Sequence, residues 1–89
     1  MQQAHIFISG FVHEVGFRQF VKQNARRLGL VGWVQNTKDR KVEIVVQGRM
    51  EDVKKLILLC RKGPMLSEVK NVSVAWEESE EALTDFQIK

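Results

Sequence analysis

The alternation of apolar and polar positions in the first third of the chain predicts a strand, a loop and a helix. Residues 5–9 are rich in strand-forming types and end at Gly10, after which an irregular segment leads to Gly16. From Phe17 the apolar residues recur at helical spacing, and Gly29 ends the pattern in the position that glycine favours after a helix. We therefore predict that a glycine-containing loop joins a first strand to a first helix.

The middle of the chain shows the two-residue period of a β-hairpin. Residues 31–35 and 42–47 have the composition of strands, and the polar residues 37–40 between them are typical of a turn. Alternate positions of the second of these strands should face opposite sides of the sheet. The positions expected to face the core are Val42, Ile44 and Val46, and those expected to face a wetter surface are Glu43, Val45 and Gln47.

The last part of the chain repeats the order of helix and strand. A second helix is predicted to begin near Glu51, whose charge suits a helix N-terminus, and to stop at Gly63. Apolar and polar residues then alternate over 72–76, an acidic loop is predicted at 77–81, and a short strand at 86–88 closes the chain. The order βαββαβ predicts an α+β, ferredoxin-like split βαβ fold. We expect a mainly antiparallel sheet with two helices on one face.

Composition limits the classes of protein that remain. A chain of 89 residues with 44% hydrophobic content suits one domain, predicted to span residues 1–89. The net charge is +3, but basic and acidic residues are interleaved, so we expect no nucleic-acid partner. Cys60 is the only cysteine, which suits a reducing compartment. Without a signal pattern or a membrane-length apolar run, we expect a cytoplasmic protein with no membrane partner.

The segment from Gly10 to Arg18 is the first candidate for chemistry. A loop that runs into a helix start presents successive backbone N–H groups and the positive end of the helix dipole, a combination that binds anions. Arg18 falls in the first predicted turn and adds a planar fork of donors that suits phosphate oxygens. From local chemistry alone, the alternative is a glycine-containing turn followed by a surface arginine.

Two separated motifs stand out, one in this loop and one in the second predicted strand. The first consists of Gly10, Val12, Val15, Gly16, Phe17 and Arg18, and the second of Gly32, Trp33, Val34 and Asn36. Together they resemble the two-part signature of the acylphosphatase family. The similarity continues through residues 46–48 and 85–89, so that it spans nearly the whole chain.

The resemblance implies a hydrolase that cleaves the carboxyl-phosphate bond of small acyl phosphates into a carboxylate and inorganic phosphate. It implies a monomer that needs no metal or other cofactor. Arg18 would bind the substrate phosphate together with loop backbone groups of Val15, Gly16, Phe17 and Arg18 itself, and Asn36 would position the attacking water. Because the leaving group is already a carboxylate, positioning and charge stabilisation matter more here than strong acid catalysis.

Several of these residues also have simpler interpretations. For Asn36 the alternative is turn chemistry, since asparagine is frequent between a strand and a polar turn. Trp33 and Phe17 are expected in the core, because aromatic side chains supply large buried areas in small domains. His13 is expected to face solvent, since it has no apparent partner to orient it as an acid or base. His5 and His13 also lack the carboxylates or thiolates of a metal site.

The pair His13-Glu14 departs from the family, whose members usually carry Gln-Gly at these positions. Glu14 places a carboxylate near an expected anion site and replaces a glycine, which tolerates backbone conformations that other residues avoid. A second function therefore stays open, a weakly active or non-catalytic acylphosphatase-like phosphate-binding module. A third class is RNA binding on the open sheet face, but residues 43–47 lack the aromatic and basic signature of such modules.

Overall fold

The computed structural model describes all residues from 1 to 89 and contains five strands and two helices. In chain order the elements are β1 (Gln2–Phe11), α1 (Phe17–Arg27), β2 (Val31–Asn36), β3 (Val42–Gln47), α2 (Met50–Lys62), β4 (Glu68–Glu78) and β5 (Phe86–Ile88). Each helix lies where its apolar periodicity predicts it. Neither helix is long and apolar enough to cross a membrane.

The five strands form one sheet in the order β4-β1-β3-β2-β5. The pairs β1–β4, β1–β3 and β2–β3 are antiparallel, and the short strand β5 is parallel to β2. Both helices cover the same face of the sheet, because the buried residues of α1 and α2 join one cluster with alternate residues of the strands. This arrangement confirms the predicted ferredoxin-like α+β fold, with β5 added at one edge.

The hydrophobic core lies between the helices and this face of the sheet. Helix α1 packs on β2 and β5, and α2 packs on β4 and β1. Phe17 at the start of α1 is almost completely buried, which confirms its predicted place in the core. Cys60 of α2 is also fully buried. Burial raises the pKa of the Cys60 thiol to about 12, so that the thiol is protonated and unreactive near neutral pH.

Gly32 allows the close approach of β2 to β3. Its φ is 148°, and a Cβ at this position would lie only 1.9 Å from the carbonyl oxygen of Val45. On the other side its N–H donates to the carbonyl oxygen of Asp85 at 2.8 Å. A side chain at residue 32 would therefore displace β2, the strand that ends at Asn36.

The edge strand β4 is longer than the sequence pattern predicts. Glu77 and Glu78 belong to β4 rather than to an acidic loop, so the prediction of a loop at 77–81 is wrong for these two residues. The reason is pairing with β1, which places Gln3 opposite Glu77 and Gln2 opposite Glu78. Backbone hydrogen bonds to a neighbouring strand extend β4 past the point where its apolar alternation stops.

The residues of β3 on the face of the sheet without helices are less exposed to solvent than predicted. Val45 is 7% exposed and Gln47 only 1% exposed. The segment between β4 and β5 folds over Gln47, whose Nε2 donates to the carbonyl oxygen of Glu81 at 2.8 Å and whose Oε1 accepts from the N–H of Leu83 at 3.0 Å. This cover could not be deduced from the alternation of β3 alone.

Trp33 lies on this open face and not in the core, so that its prediction as a core residue is wrong. Its neighbour Val34 is fully buried on the helix side, and the two-residue period of β2 turns Trp33 to the other side. The half-buried indole ring packs beneath the Lys89 ammonium group, which lies 4.0 Å from the ring centroid. The direction set by strand alternation outweighs the preference of a large aromatic side chain for burial.

Candidate active site

The C-terminal ends of β1 and β2 lie at the same end of the sheet. Both strands pair antiparallel with β3 and therefore run in the same direction. A cleft of about 230 Å³ lies between the loop after β1, the start of α1 and the end of β2. It is lined by Val12, Glu14, Gly16, Phe17, Arg18, Gln19, Asn36 and Ile88. The cleft brings Arg18 and Asn36 together, whereas Val15 packs against the core and is not part of the wall.

The first turn of α1 presents backbone N–H groups that no side chain caps. Gly16 occupies the N-cap position with φ 78° and ψ 20°, a left-handed conformation that favours glycine. The amides of the next three residues have no acceptor within the helix, and no acidic residue lies in this turn. The first turn of α2, in contrast, carries Glu51 and Asp52, which offset its helix dipole. The start of α1 is therefore the more favourable of the two for an external anion.

The guanidinium group of Arg18 is free to meet a ligand. Arg18 is exposed in the first turn of α1 and makes no ion pair or hydrogen bond with another protein side chain. By comparison, Arg26 pairs with Asp85 at 3.1 Å, and Arg49 pairs with Glu51 at 2.6 Å. All N–H donors of Arg18 thus remain available beside the unpaired amides of the same turn.

Asn36 supplies an acceptor that the protein itself does not use. It is the last residue of β2 and lies opposite Val42 in the sheet. Its Oδ1 is the one buried side-chain oxygen or nitrogen atom that has no hydrogen-bond partner. Leaving a buried acceptor unpaired costs about 1 to 3 kcal/mol, so such atoms are uncommon without a function. Asn36 lines the cleft, so this unpaired acceptor belongs to a residue that borders the space for a ligand.

His13 ties the loop to the turn between β2 and β3. Its Nε2 donates to the carbonyl oxygen of Lys41 at 2.8 Å, and the same oxygen accepts from the N–H of Thr37 at 2.9 Å. The prediction of a solvent-facing His13 is therefore wrong, because the ring is half-buried and bonded to backbone. A backbone carbonyl as partner leaves no trace in the sequence. The contact joins the segment that leads to Arg18 to the turn that follows Asn36.

Gln19 and Ile88 belong to the cleft but are absent from the motif-based set. Gln19 follows Arg18 in the first helical turn, and its position after the motif is the signal that points to it. Ile88 reaches the cleft because β5 lies parallel to β2, with Ile88 opposite Val34. No local pattern in the sequence predicts that pairing. The described residues contain no group of three or more His, Cys, Asp or Glu side chains that could hold a metal ion.

The fold and the cleft define an α+β, ferredoxin-like protein with a polar cleft at the start of its first helix. The model of the Acylphosphatase family matches residues 4–88, and the chain belongs to this family of acyl phosphate hydrolases. An acylphosphatase from Moorella thermoacetica is 45% identical over 87 residues, which cover 98% of this chain and 92% of that protein.

Solved structures agree with this assignment. The crystal structure of the acylphosphatase from Bacillus subtilis has a TM-score of 0.96 at 35% identity, covering 100% of this chain and 99% of that chain. The crystal structure of Thermococcus kodakarensis HypF matches with a TM-score of 0.88 at 36% identity. In that case the similarity covers 100% of this chain but only 12% of the longer one.

Proposed function

We propose that this protein is an acylphosphatase that hydrolyses small acyl phosphates without a metal or other cofactor. We further propose that residues 1–89 form one catalytic domain, which acts as a cytoplasmic monomer without a nucleic-acid or membrane partner. The observation that carries the proposal is the meeting of Arg18 and the unpaired Oδ1 of Asn36 in one cleft at the uncapped start of α1. Membership of the acylphosphatase family supports the reaction class.

Arg18 and the loop backbone bind the phosphate group of the substrate in this mechanism. The guanidinium fork takes two phosphate oxygens, and N–H groups of residues 15–18 take the others. These donors are fixed by the backbone before the substrate arrives, so they stabilise the charge that spreads over the phosphoryl oxygens in the transition state. The absence of an ion-pair partner for Arg18 supports this role, since no internal contact has to break first.

Asn36 positions the attacking water. Its Oδ1 accepts a hydrogen bond from the water and holds the oxygen lone pair towards phosphorus, in line with the acyl oxygen. The bond from water oxygen to phosphorus forms while the bond from phosphorus to the acyl oxygen breaks, and the carboxylate leaves with the electron pair. The proton of the water ends on the phosphate product. Two observations support this assignment: Asn36 lines the cleft, and its Oδ1 has no hydrogen-bond partner in the protein.

The second candidate function is phosphate binding without efficient turnover. Glu14 favours it, because its carboxylate lines the same cleft and opposes a phosphate dianion. In Thermococcus kodakarensis HypF the similar fold makes up only 12% of a longer chain. Under this alternative Arg18 would still bind phosphate, and hydrolysis would be slow or absent.

Hydrolysis of benzoyl phosphate and acetyl phosphate in the presence of a metal chelator tests the proposal. We expect turnover that the chelator does not change and that Arg18→Ala removes. Inorganic phosphate binding measured by calorimetry, without turnover of either substrate, would establish the alternative. Turnover that disappears with the chelator would contradict a metal-independent reaction.

A further inference from the structure

Glu14 is a charged residue of the cleft that the proposed chemistry does not use. Its side chain lines the same wall as Arg18 and Asn36, and it is exposed. The carboxylate of Glu14 forms no ion pair and accepts no hydrogen bond, unlike those of Glu43, Glu51, Glu77 and Glu78. Glu68, Glu80 and Glu81 are also unpaired, but they do not line the cleft. The cleft thus contains one cation and one anion that are not paired with each other.

The backbone at Glu14 adopts a conformation that residues other than glycine rarely adopt. Its φ is +59°, in the left-handed region. A carboxylate at this position also repels the phosphate that Arg18 is proposed to bind. Both effects are unfavourable, and no internal contact of the Glu14 side chain compensates for them. A strained residue in a cleft, without a structural gain, indicates a role towards a molecule outside the chain.

The neighbours of Glu14 hold it in a defined place. His13 is bonded to the Lys41 carbonyl oxygen at 2.8 Å, so the residue before Glu14 is fixed to the β2–β3 turn. Val12 on one side and Phe17 on the other are buried in the core. The segment is therefore anchored at both ends, which fixes the backbone of Glu14 in the wall of the cleft.

We propose that Glu14 selects acyl phosphates whose acyl group carries a positive charge. The proposal rests on the hydrolysis of acyl phosphates at Arg18 and Asn36 set out above. A substrate with a phosphate at one end and an ammonium group at the other matches the two unpaired charges of the cleft. The attraction between the ammonium group and Glu14 offsets the repulsion between Glu14 and the phosphate, whereas a neutral acyl group leaves that repulsion in place. Acyl phosphates derived from amino acids or other amines have this chemistry.

Two substrates of the same shape test the proposal. β-(Trimethylammonio)propanoyl phosphate and β-tert-butylpropanoyl phosphate differ by one nitrogen in place of one carbon, hence by one positive charge far from the bond that breaks. The quantity to measure is the ratio of kcat/KM for the charged substrate to kcat/KM for the neutral one. Comparing this ratio between variants cancels the difference in intrinsic reactivity of the two anhydrides.

Glu14→Gln removes the charge and keeps the size of the side chain, and Glu68→Gln is its matched control. Glu68→Gln changes the net charge by the same amount. Glu68 is exposed at the start of β4 and is not part of the cleft wall, so this change takes place away from the site. We expect Glu14→Gln to lower the ratio by roughly fivefold at low salt and less at high salt. Its kcat/KM for the neutral substrate should rise, and Glu68→Gln should leave the ratio unchanged.

Glu14→Gly adds the release of backbone strain and should raise the rate with the neutral substrate further than Glu14→Gln. A ratio that stays the same in both Glu14 variants would overturn the proposal. So would a parallel loss of kcat on both substrates, because that result would identify Glu14 as a general base. If the unmodified protein hydrolyses neither substrate nor acetyl phosphate, the proposed acylphosphatase activity itself is wrong.

Discussion

Two groups of polar side chains, one in the cleft and one on the open face of the sheet, differ in how they are paired. The open-face group forms a connected network across four strands, and its members are Gln3, His5, Gln35, Glu43, Gln47 and Glu77. In the cleft, by contrast, Arg18, Glu14 and the Oδ1 of Asn36 have no protein partner. Arg18 and Glu14 are exposed, whereas most members of the open-face network are buried or half-buried.

Glu43 shows what pairing achieves on the open face. Gln35 Nε2 donates to one carboxylate oxygen at 2.8 Å, and His5 Nε2 donates to the other at 2.6 Å. Burial alone would raise the pKa of Glu43, but these hydrogen bonds and the positive charges of His5 and Lys89 together hold the pKa below its usual value. Groups of this kind satisfy one another and stabilise the fold.

This comparison indicates which polar groups of a small domain have a function beyond stability. A protein of this size has little stability to lose, so groups left unpaired in a cleft are more informative than polar groups that satisfy one another. Substitution in the cleft should therefore change binding and turnover more than stability. Substitution in the open-face network should do the reverse.

Arg18→Ala should have the largest effect. Because no other side chain of the cleft is a cation, we expect kcat/KM to fall by roughly 1,000-fold and inorganic phosphate binding to be lost. Arg18→Lys should recover little, since an ammonium group lacks the planar fork. Arg49→Ala at the start of α2 is the control, and its activity should be normal. Full activity of Arg18→Ala would show that the phosphate lies elsewhere.

Asn36→Ala should lower kcat by roughly 100-fold and leave phosphate affinity largely unchanged, because the proposed role of the amide is to position water rather than phosphate. The unfolding free energy should change by less than about 1 kcal/mol, since the substitution also removes an unpaired buried acceptor. Gln35→Ala, one residue earlier but on the other face of β2, should lower stability and spare kcat. Equal losses of affinity and turnover in Asn36→Ala would contradict this division of roles.

Glu43→Gln should lower the unfolding free energy by about 1 kcal/mol near neutral pH, because its NH₂ group faces a donor from Gln35 or His5. The pKa of Glu43 is lower in the folded protein than its ordinary value of 4.5. The stabilisation by the carboxylate is therefore complete above that value and is lost as pH falls through the folded pKa. Urea unfolding should show a difference from wild type that shrinks only in this acidic range. Hydrolysis at neutral pH should be unaffected.

Gln19→Glu should have the smallest effect, with opposite signs for stability and binding. A carboxylate in the first turn of α1 should stabilise the helix by about 0.5 kcal/mol. The same charge in the cleft wall should weaken phosphate binding by roughly threefold at low salt. Glu51→Gln in the first turn of α2 should lower stability by a similar amount and leave phosphate binding unchanged. A Gln19→Glu variant that binds phosphate as tightly as wild type would argue against the α1 start as the anion site.

The sequence predicts the fold well because the two periods of its apolar residues are clear. Helical spacing from Phe17 and strand alternation over residues 42–47 correctly place α1 and β3. The error at Trp33 arises from the alternation of β2 itself, and the other errors arise where a distant segment decides the outcome. The length of β4 depends on its pairing with β1, and the cover over Gln47 comes from the segment that precedes β5.

The candidate site divides in the same way. Arg18 and Asn36 can be predicted because they lie within recognisable motifs. The shared direction of β1 and β2 brings their segments to the same end of the sheet. The burial of Asn36 Oδ1, the bond from His13 to Lys41 and the place of Ile88 need three-dimensional contacts. The left-handed backbone at Glu14 is also a property of the folded loop, although its position in place of a glycine draws attention to it.

The central claim is that phosphate binds among the unpaired groups of the cleft and not at another polar or cationic region. Titration of isotope-labelled protein with inorganic phosphate, followed by amide NMR shifts, tests this most directly. We expect the backbone amides of residues 15–19 and the side-chain amide of Asn36 to shift together along one binding curve. The amides at the start of α2 and the side-chain amides of Gln35 and Gln47 should not move. Shifts centred on α2 or on the open-face network, with the α1 start unchanged, would contradict the account.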